Sequence, residues 1–379
     1  MRTAFFSAAL ATVASVSALP SPQEIPSTKL TKALPVNIFA DTPKFAQPIP
    51  LETAKLIFEE HNATQPEEAP AASFRVTTFA AAATCSNVRT RIEWDSYPDS
   101  SKQAFVDSVK CLMSRAPSGR FPASKSRYED LVALHQTLTP NVHGNSKFLL
   151  WHRYYLWTFE DVLRTECGFN QALPWFDETR YAGRFSQSSI FSARWLGGIA
   201  LGGNCVTNGV STKSLSHTPP VNKVTDPLQQ FANLAINIGP GSGNQPHCLA
   251  RNGDGAKTQY CNSDYVNQCN AYGDFAGMAS CAEGGPHAWG HNGIGAVMQD
   301  TYGSPADPIF WLHHGFVDRN FRIWQNKNSA RVSTINGNDV SGRPLTLDTT
   351  VNVYGIRPDV RIRDILDTTG STLCYKYNY

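Results

Sequence analysis

The chain has 379 residues, 41% hydrophobic and 17% charged, which is enough apolar material for a large core and length for one to three domains. A formal charge of +2, with no dense run of Lys or Arg, excludes a phosphate-binding stripe and with it nucleic acid as a partner. Nine cysteines without a CxxC pair point to structural bridging in an oxidising compartment rather than a thiolate metal site, and the odd number leaves at least one unpaired.

Arg2, an apolar stretch from Ala4 to Val16 and the sequence Val16-Ser17-Ala18 read as a secretory signal over residues 1–18. The stretch is shorter than the about 20 apolar residues of a membrane anchor, and no other segment is apolar enough to span a bilayer. Residues 19–84, rich in Pro, Ala, Thr and Glu, read as a weakly structured leader or propeptide that holds the glycosylation sequon Asn62-Ala63-Thr64. The folded domain is expected over residues 85–379.

Its first helix is expected from Ser101 to Met113, where Phe105, Val109 and Leu112 share a face. A second runs from Tyr128 to Leu138 with Leu131, Leu134 and Leu138 on one side. A third runs from Phe148 to Arg164 with Tyr155, Phe159 and Val162 aligned. Between these two, Thr139 to Ser146 reads as a Pro-Asn-Gly loop. Residues 183–285, rich in Gly, Asn, Ser and Cys, read as long disulfide-tied loops. Asp307-Pro308 opens another helix, to about Trp324, with Asp able to cap it and Pro tolerated in the first turn. Alternation around Thr349 to Val353 predicts a few short strands. The fold class is therefore mainly α.

The chemistry lies in the placement of the histidines. His135 ends the second predicted helix, His143 follows on the loop, and His152 sits on the third helix on the face of Tyr155, so three imidazoles can meet at one helix pair. His287 and His291, at i and i+4, share a helical face, and His314 lies on the helix that Asp307 begins. Two all-imidazole sites without a carboxylate or thiolate suit copper better than di-iron or dinuclear zinc, which draw on carboxylates. Such a pair exchanges electrons with O2. His61, His217 and His247 are bystanders in leader or loops.

Two motifs carry a resemblance to a known family. The first is His143 followed by Phe148-Leu149-Leu150-Trp151-His152-Arg153 and Glu160; the second is Asp307-Pro308-Ile309-Phe310-Trp311-Leu312-His313-His314 with Asp318. In order and over most of the folded part, they resemble the two copper signatures of the type-3 copper proteins: tyrosinases, catechol oxidases and molluscan-type hemocyanin domains. The resemblance implies a central four-helix bundle holding two copper ions, with O2 as co-substrate and small phenols as substrates. It makes His135, His143 and His152 the ligands of one copper and His287, His291 and His314 those of the other. Of the adjacent pair, spacing also favours His314, which shares a stripe with Val317, Asp318 and Phe321, and leaves His313 a neighbour. Asp318 either accepts a bond from a ligand imidazole or pairs with Arg322 at i+4.

Glu283-Gly284-Gly285-Pro286-His287 resembles the segment in which a glutamate orients a water near the metals, which makes Glu283 the candidate for that role. Efficient phenol hydroxylases of the family place an asparagine after the first ligand of this copper, where Ala288 stands here. The resemblance therefore implies a secreted, short fungal-like oxidase that turns catechols, and o-aminophenols, into o-quinones and hydroxylates monophenols weakly. The alternatives are a tyrosinase with substantial monophenolase activity or an O2 carrier. Thr301, Ala288 and Asn292 are expected at the substrate entrance, and the small Thr301 leaves it open where plant members often place a bulky gate. Asn141 replaces the cysteine that forms a thioether in many members. Cys374-Tyr375-Lys376-Tyr377 is similar to the Tyr-x-Tyr element closing the catalytic domain, with no C-terminal lid domain expected after it.

Overall fold

A computed structural model describes residues 85–203, 205, 206, 231 and 234–379. The signal-like segment, the leader with its sequon at Asn62, and the histidines His61 and His217 lie outside the described residues.

Helix α1 (Asp99–Ser114) buries Phe105, Val106, Val109 and Leu112. Helix α2 (Arg127–Val142) begins at Ser126, whose side chain accepts from Glu129 N. It is longer than its sequence pattern and differs from it in kind. It continues through Pro140, so His135 lies inside it and the predicted loop from Thr139 is in part helix. Pro140 forfeits a bond to the Gln136 carbonyl close to the helix end, where the cost is least. The helix is also buried on every side from Arg127 to Thr139, so the leucine stripe marked only one of its covered faces. Helix α3 (Phe148–Cys167) follows and stops at Gly168, which is left-handed at φ 67° and donates its N–H to Leu163 O. A disulfide from Cys111 to Cys167 ties α1 to the end of α3.

The stretch expected as loops is more ordered than that. It contains the strand pair β2 (Ala235–Ile236) and β3 (His247–Cys248), and helices α4 (Gly255–Thr258), α5 (Ser263–Cys269) and α6 (Phe275–Ala282). Asp254, Asn262 and Asp274 cap these helices with side-chain oxygens. Helices of four to eight residues are too short to show a period in sequence. The disulfides Cys205–Cys248 and Cys269–Cys281 staple the region, and Cys261 is the free, buried cysteine among the described residues.

A π-helical turn, Glu283–His287, joins α6 to α7 (Ala288–Ile294). Helix α8 (Ile309–Asn326) starts as its Asp-Pro opening predicts, with Asp307 Oδ1 accepting from Ile309 N at 3.1 Å. The same carboxylate takes Arg251 Nε and Nη2 at 2.7 and 2.8 Å, fastening the start of α8 to the loops. Short strands close the chain: β4 (Thr350–Val351) pairs antiparallel with β5 (Val360–Arg361), and β6 (Tyr375–Tyr377) pairs parallel with β1 (Arg89–Arg91) in the register Arg89↔Tyr375 and Arg91↔Tyr377. Cys85–Cys374 bridges the same end.

Both alternatives for Asp318 are corrected here. Its Oδ1 accepts from Arg153 Nε at 2.6 Å, its Oδ2 from the hydroxyls of Tyr375 and Tyr377, and Arg91 lies 3.7 Å away. Arg322 pairs instead with Asp367. Arg91 also donates to Glu160, which Arg89 reaches from the other side. The charged and Tyr-x-Tyr residues of the motifs thus meet in one buried cluster joining α3, α8, β1 and β6. They hold the helices that carry histidines, and they do so away from the histidines.

Candidate metal centre

Two sets of imidazoles meet in the interior. His135, His143 and His152 form one, and His287, His291, His313 and His314 the other; within each set the ligand-capable atoms lie within 4.8 Å of one another. The sets are neighbours, since the rings of His152 and His314 stack 4.5 Å apart at 11°. All six histidines predicted from the sequence are therefore brought together, and His313 is added to them. His247, on β3, stays outside and bonds locally to Gln245 O.

The elements explain the convergence. His135 projects from the middle of α2, His143 caps its C-terminus, and His152 stands one turn into α3. The π-helical turn carries His287, and α7 carries His291 one turn on. π-helical insertions are frequent at functional sites because they re-aim side chains. Aromatic rings wall the space: Phe148 packs 4.7 Å from His152 and 4.6 Å from His287, and Phe310 lies 4.2 Å from His314 and 5.3 Å from His135.

Hydrogen bonding fixes the protons. Nδ1 of His135, His143, His152, His287 and His291 faces the backbone carbonyls of Tyr302, Thr139, Phe148, Glu283 and Met298, at 2.9, 3.1, 2.9, 3.0 and 2.6 Å. A carbonyl only accepts, so each Nδ1 bears the hydrogen and each Nε2 the lone pair. Yet Nε2 of His135 and of His152 face each other at 3.4 Å, two acceptors with no proton between them. His291 Nε2 and His314 Nε2 also stand 3.4 Å apart, while His287 Nε2 and His314 Nδ1 are buried and meet no partner among the described residues. Buried lone pairs aimed at one another are costly unless a cation takes them. The donor set, neutral nitrogen throughout, fits copper.

The electrostatics agree. Burial, and after it the neighbouring imidazoles, hold His135, His152, His287, His291 and His314 well below the ordinary imidazole value of 6.5. Burial pushes His143 down to about 4 and His313 to about 3. Glu283 is pushed up to about 8 by burial, partly opposed by the Gly144 N–H that its Oε1 accepts at 2.8 Å. It thus stands between the sets, bonded at one end beside His143 and at the other, through its carbonyl, to His287.

Sequence reasoning missed Glu178. Its Oε1 meets His313 Nδ1 at 2.6 Å, both side chains fully buried, and burial raises its carboxyl well above the usual range. The pair lies 135 residues apart in sequence, so no local pattern could have linked them. It packs against Gly290, between His287 and His291, where a Cβ would lie 2.5 Å from His313 Cε1 and 3.0 Å from Glu178 Oε2. Gly290→Ala is therefore expected to destabilise the protein by about 1–3 kcal/mol and to lower its metal content; a melting temperature and copper load equal to wild type would show that the contact yields freely.

Of the predicted entrance residues, two lie on the helix of the second set and the third adjoins a residue that bonds the first. Ala288 and Asn292 belong to α7, half-buried, with Asn292 Nδ2 donating to Ala288 O at 2.8 Å. Thr301, also half-buried, precedes the residue whose carbonyl holds His135.

Residues 125–327, which contain all seven clustered histidines, match the family described as the common central domain of tyrosinase. Tyrosinase P of Aspergillus terreus is 29% identical over 335 residues, covering 77% of this chain and 93% of that protein. N-acetyl-6-hydroxytryptophan oxidase ivoB of Emericella nidulans is 28% identical over 338 residues, covering 77% and 92%. Among solved structures, a mutant polyphenol oxidase from Thermothelomyces thermophila aligns at a TM-score of 0.64 and 26% identity, over 77% of this chain and 89% of that one. A functional unit of octopus hemocyanin shares the fold at a TM-score of 0.50 and 16% identity, over 77% and 68%.

Proposed function

The chain belongs to the tyrosinase family of type-3 copper proteins, and on that premise we propose that it is a copper-dependent oxidase that converts o-diphenols, and o-aminophenols with them, to o-quinones using O2, with weak hydroxylation of monophenols. The observation that carries this reading is the pair of buried imidazole sets, in which five rings direct the proton outward at Nδ1 and so the lone pair inward at Nε2. We assign His135, His143 and His152 to one copper and His287, His291 and His314 to the other, and read the helices that bear them, α2, α3, α7 and α8, as the family's four-helix bundle. His313, bonded to Glu178, is left as a neighbour. A copper pair held there supplies two-electron exchange with O2.

The chain's own residues do the rest. Phe148 and Phe310 keep water from the rings, and backbone carbonyls hold His135, His143, His152, His287 and His291 each in one tautomer. Glu283, protonated below about pH 8, holds a proton at the boundary of the two sets and is our candidate for orienting a water there. Thr301 leaves room for substituted catechols, a point that failure of 4-substituted catechols to react would contradict. The relative named for oxidising N-acetyl-6-hydroxytryptophan supports a phenolic substrate larger than catechol itself.

Because the rings are already neutral, copper uptake at pH 6.5 is expected to release no protons, whereas six exposed imidazoles, half protonated there, would release about three. Calorimetric titration in two buffers of different ionisation enthalpy reads the number. Ala288 offers no side-chain hydrogen bond, so Ala288→Asn is expected to raise the ratio of monophenol to diphenol turnover on the order of tenfold or more; an unchanged ratio would remove Ala288 from the explanation. The central test is O2 consumption by the copper-loaded chain with a catechol, an o-aminophenol and tyrosine. Catechol should be turned over fastest, and absence of catechol turnover would leave the O2-carrier reading.

We also place the protein outside the cell, with residues 1–18 as signal, 19–84 as leader and 85–379 as catalytic domain. The four disulfides need an oxidising compartment, and no helix among the described residues is long and apolar enough to cross a membrane.

A further inference from the structure

Five of the six proposed ligands are braced through Nδ1, in two different ways, whereas His314 Nδ1 meets no partner among the described residues. His143, His152 and His287 return Nδ1 to a carbonyl four residues earlier, Thr139, Phe148 and Glu283, so each ring is oriented by its own helical turn. His135 and His291 are not. Their Nδ1 atoms leave α2 and α7, and both arrive at one short segment, at Tyr302 O and Met298 O. One ring of each set is therefore oriented by the same five residues, 298–302, with the entrance residue Thr301 among them.

What holds that segment is Asp300. Its Oδ1 accepts from Tyr302 N at 3.1 Å and its Oδ2 from Gly241 N at 2.9 Å. Gly241 belongs to a turn whose carbonyls, at Gly241 and Gly243, accept from Gln136 Nε2 at 2.8 and 2.9 Å. Gln136 is the neighbour of His135, so the bonds close a ring: His135 to Tyr302, to Asp300, to Gly241, to Gln136 and back along α2. The carboxylate sits where no side chain competes. A Cβ on Gly239 or Gly303 would lie 2.9 or 2.7 Å from Asp300 Oδ2. Partners that fix ligand orientation in this way typically alter metal affinity 10- to 100-fold when lost.

We propose that Asp300 is a positioning residue for the metal pair, acting through the 298–302 segment to hold one imidazole of each set, so that the two sites gain or lose their metals together. The proposal rests on the copper reading above.

The test uses the full-length protein, loaded with copper and challenged with a chelator, in wild type and in Asp300→Asn and Asp300→Ala. Asparagine keeps the acceptor for Tyr302 N but turns an NH2 toward Gly241 N, so retention should fall in the order wild type, Asn, Ala, by about 10- to 100-fold for Ala. The melting temperature of the metal-free variants should stay within about 3 °C of wild type. Copper should leave both sites in step, without a long-lived paramagnetic signal from a lone Cu(II). Should Asp300→Ala not fold, Gln136→Leu opens the same ring from the other end and should weaken retention in the same direction. Retention within twofold of wild type, loss from one site alone, or a loss that merely follows a large drop in melting temperature would each overturn the proposal. A wild-type protein that never takes up two coppers would instead refute the copper reading beneath it.

Discussion

Replacing Asp318 with asparagine is expected to lower the free energy of unfolding by about 3–5 kcal/mol, although the residue touches no histidine of the centre. Arg153 is fully buried and Asp318 is its carboxylate partner, at 2.6 Å; its other bonds go to carbonyl oxygens of Gln325, Ile365 and Leu366. Removing the negative charge leaves that guanidinium uncompensated in the interior, together with part of the charge on Arg91. Asparagine offers one acceptor oxygen where the carboxylate offered two, so an NH2 must face either Arg153 Nε or the hydroxyls of Tyr375 and Tyr377, which weakens the hold of the cluster on β6. Urea unfolding of the two proteins measures the difference, and a change below about 1 kcal/mol would mean that the cluster is wetter than its geometry implies. The pH dependence carries a sign. Burial alone would push the Asp318 carboxyl up, but Arg153 and Arg91, with the two tyrosines, hold it below the ordinary 3.8. A depressed carboxylate contributes stability that is complete above its unfolded value and lost as pH falls beneath it. The gap between wild type and variant should accordingly shrink on acidification below about pH 4.

Substituting His152 with asparagine is expected to reduce catechol turnover by at least on the order of a thousandfold, equivalent to about 4 kcal/mol of transition-state stabilisation, with loss of copper. His152 is the ring through which the sets touch, facing His135 at 3.4 Å and stacked on His314 at 4.5 Å. Asparagine is smaller and leaves the helix intact, so circular dichroism should remain that of wild type. Metal analysis then separates cause from consequence. A variant that keeps two coppers and its turnover would exclude His152 as a ligand and with it the assignment of the first set.

How much of this was legible beforehand differed by element. The helix beginning at Asp307 and the helix from Phe148 follow from local signals, an Asp-Pro opening and an apolar stripe, and both stand as expected. Helix α2 was harder, because a helix covered on all sides shows no contrast between faces, and Pro140 near its end reads as a stop. The short helices α4, α5 and α6 are set by capping side chains and disulfides that become visible only once their partners are in place. Asp318 shows the same limit. Its two sequence neighbours in helical spacing offered plausible partners, yet Arg153, from 165 residues away, took it.

Residue type and spacing alone placed His135, His152, His287, His291 and His314 on helices and His143 on the connection between two of them, near enough in sequence to meet in two groups, since these are properties of one chain segment at a time. Only the tertiary structure decided which nitrogen carries the proton in five of the six rings, that His313 is claimed by Glu178, and that one loop braces a ring in each set. His143, His152 and His287 are set by carbonyls of their own helical turn, but the partners of His135 and His313 lie 167 and 135 residues away, brought within about 3 Å by folding, and a contact of that kind leaves no periodicity in either segment for a reader of the sequence to find.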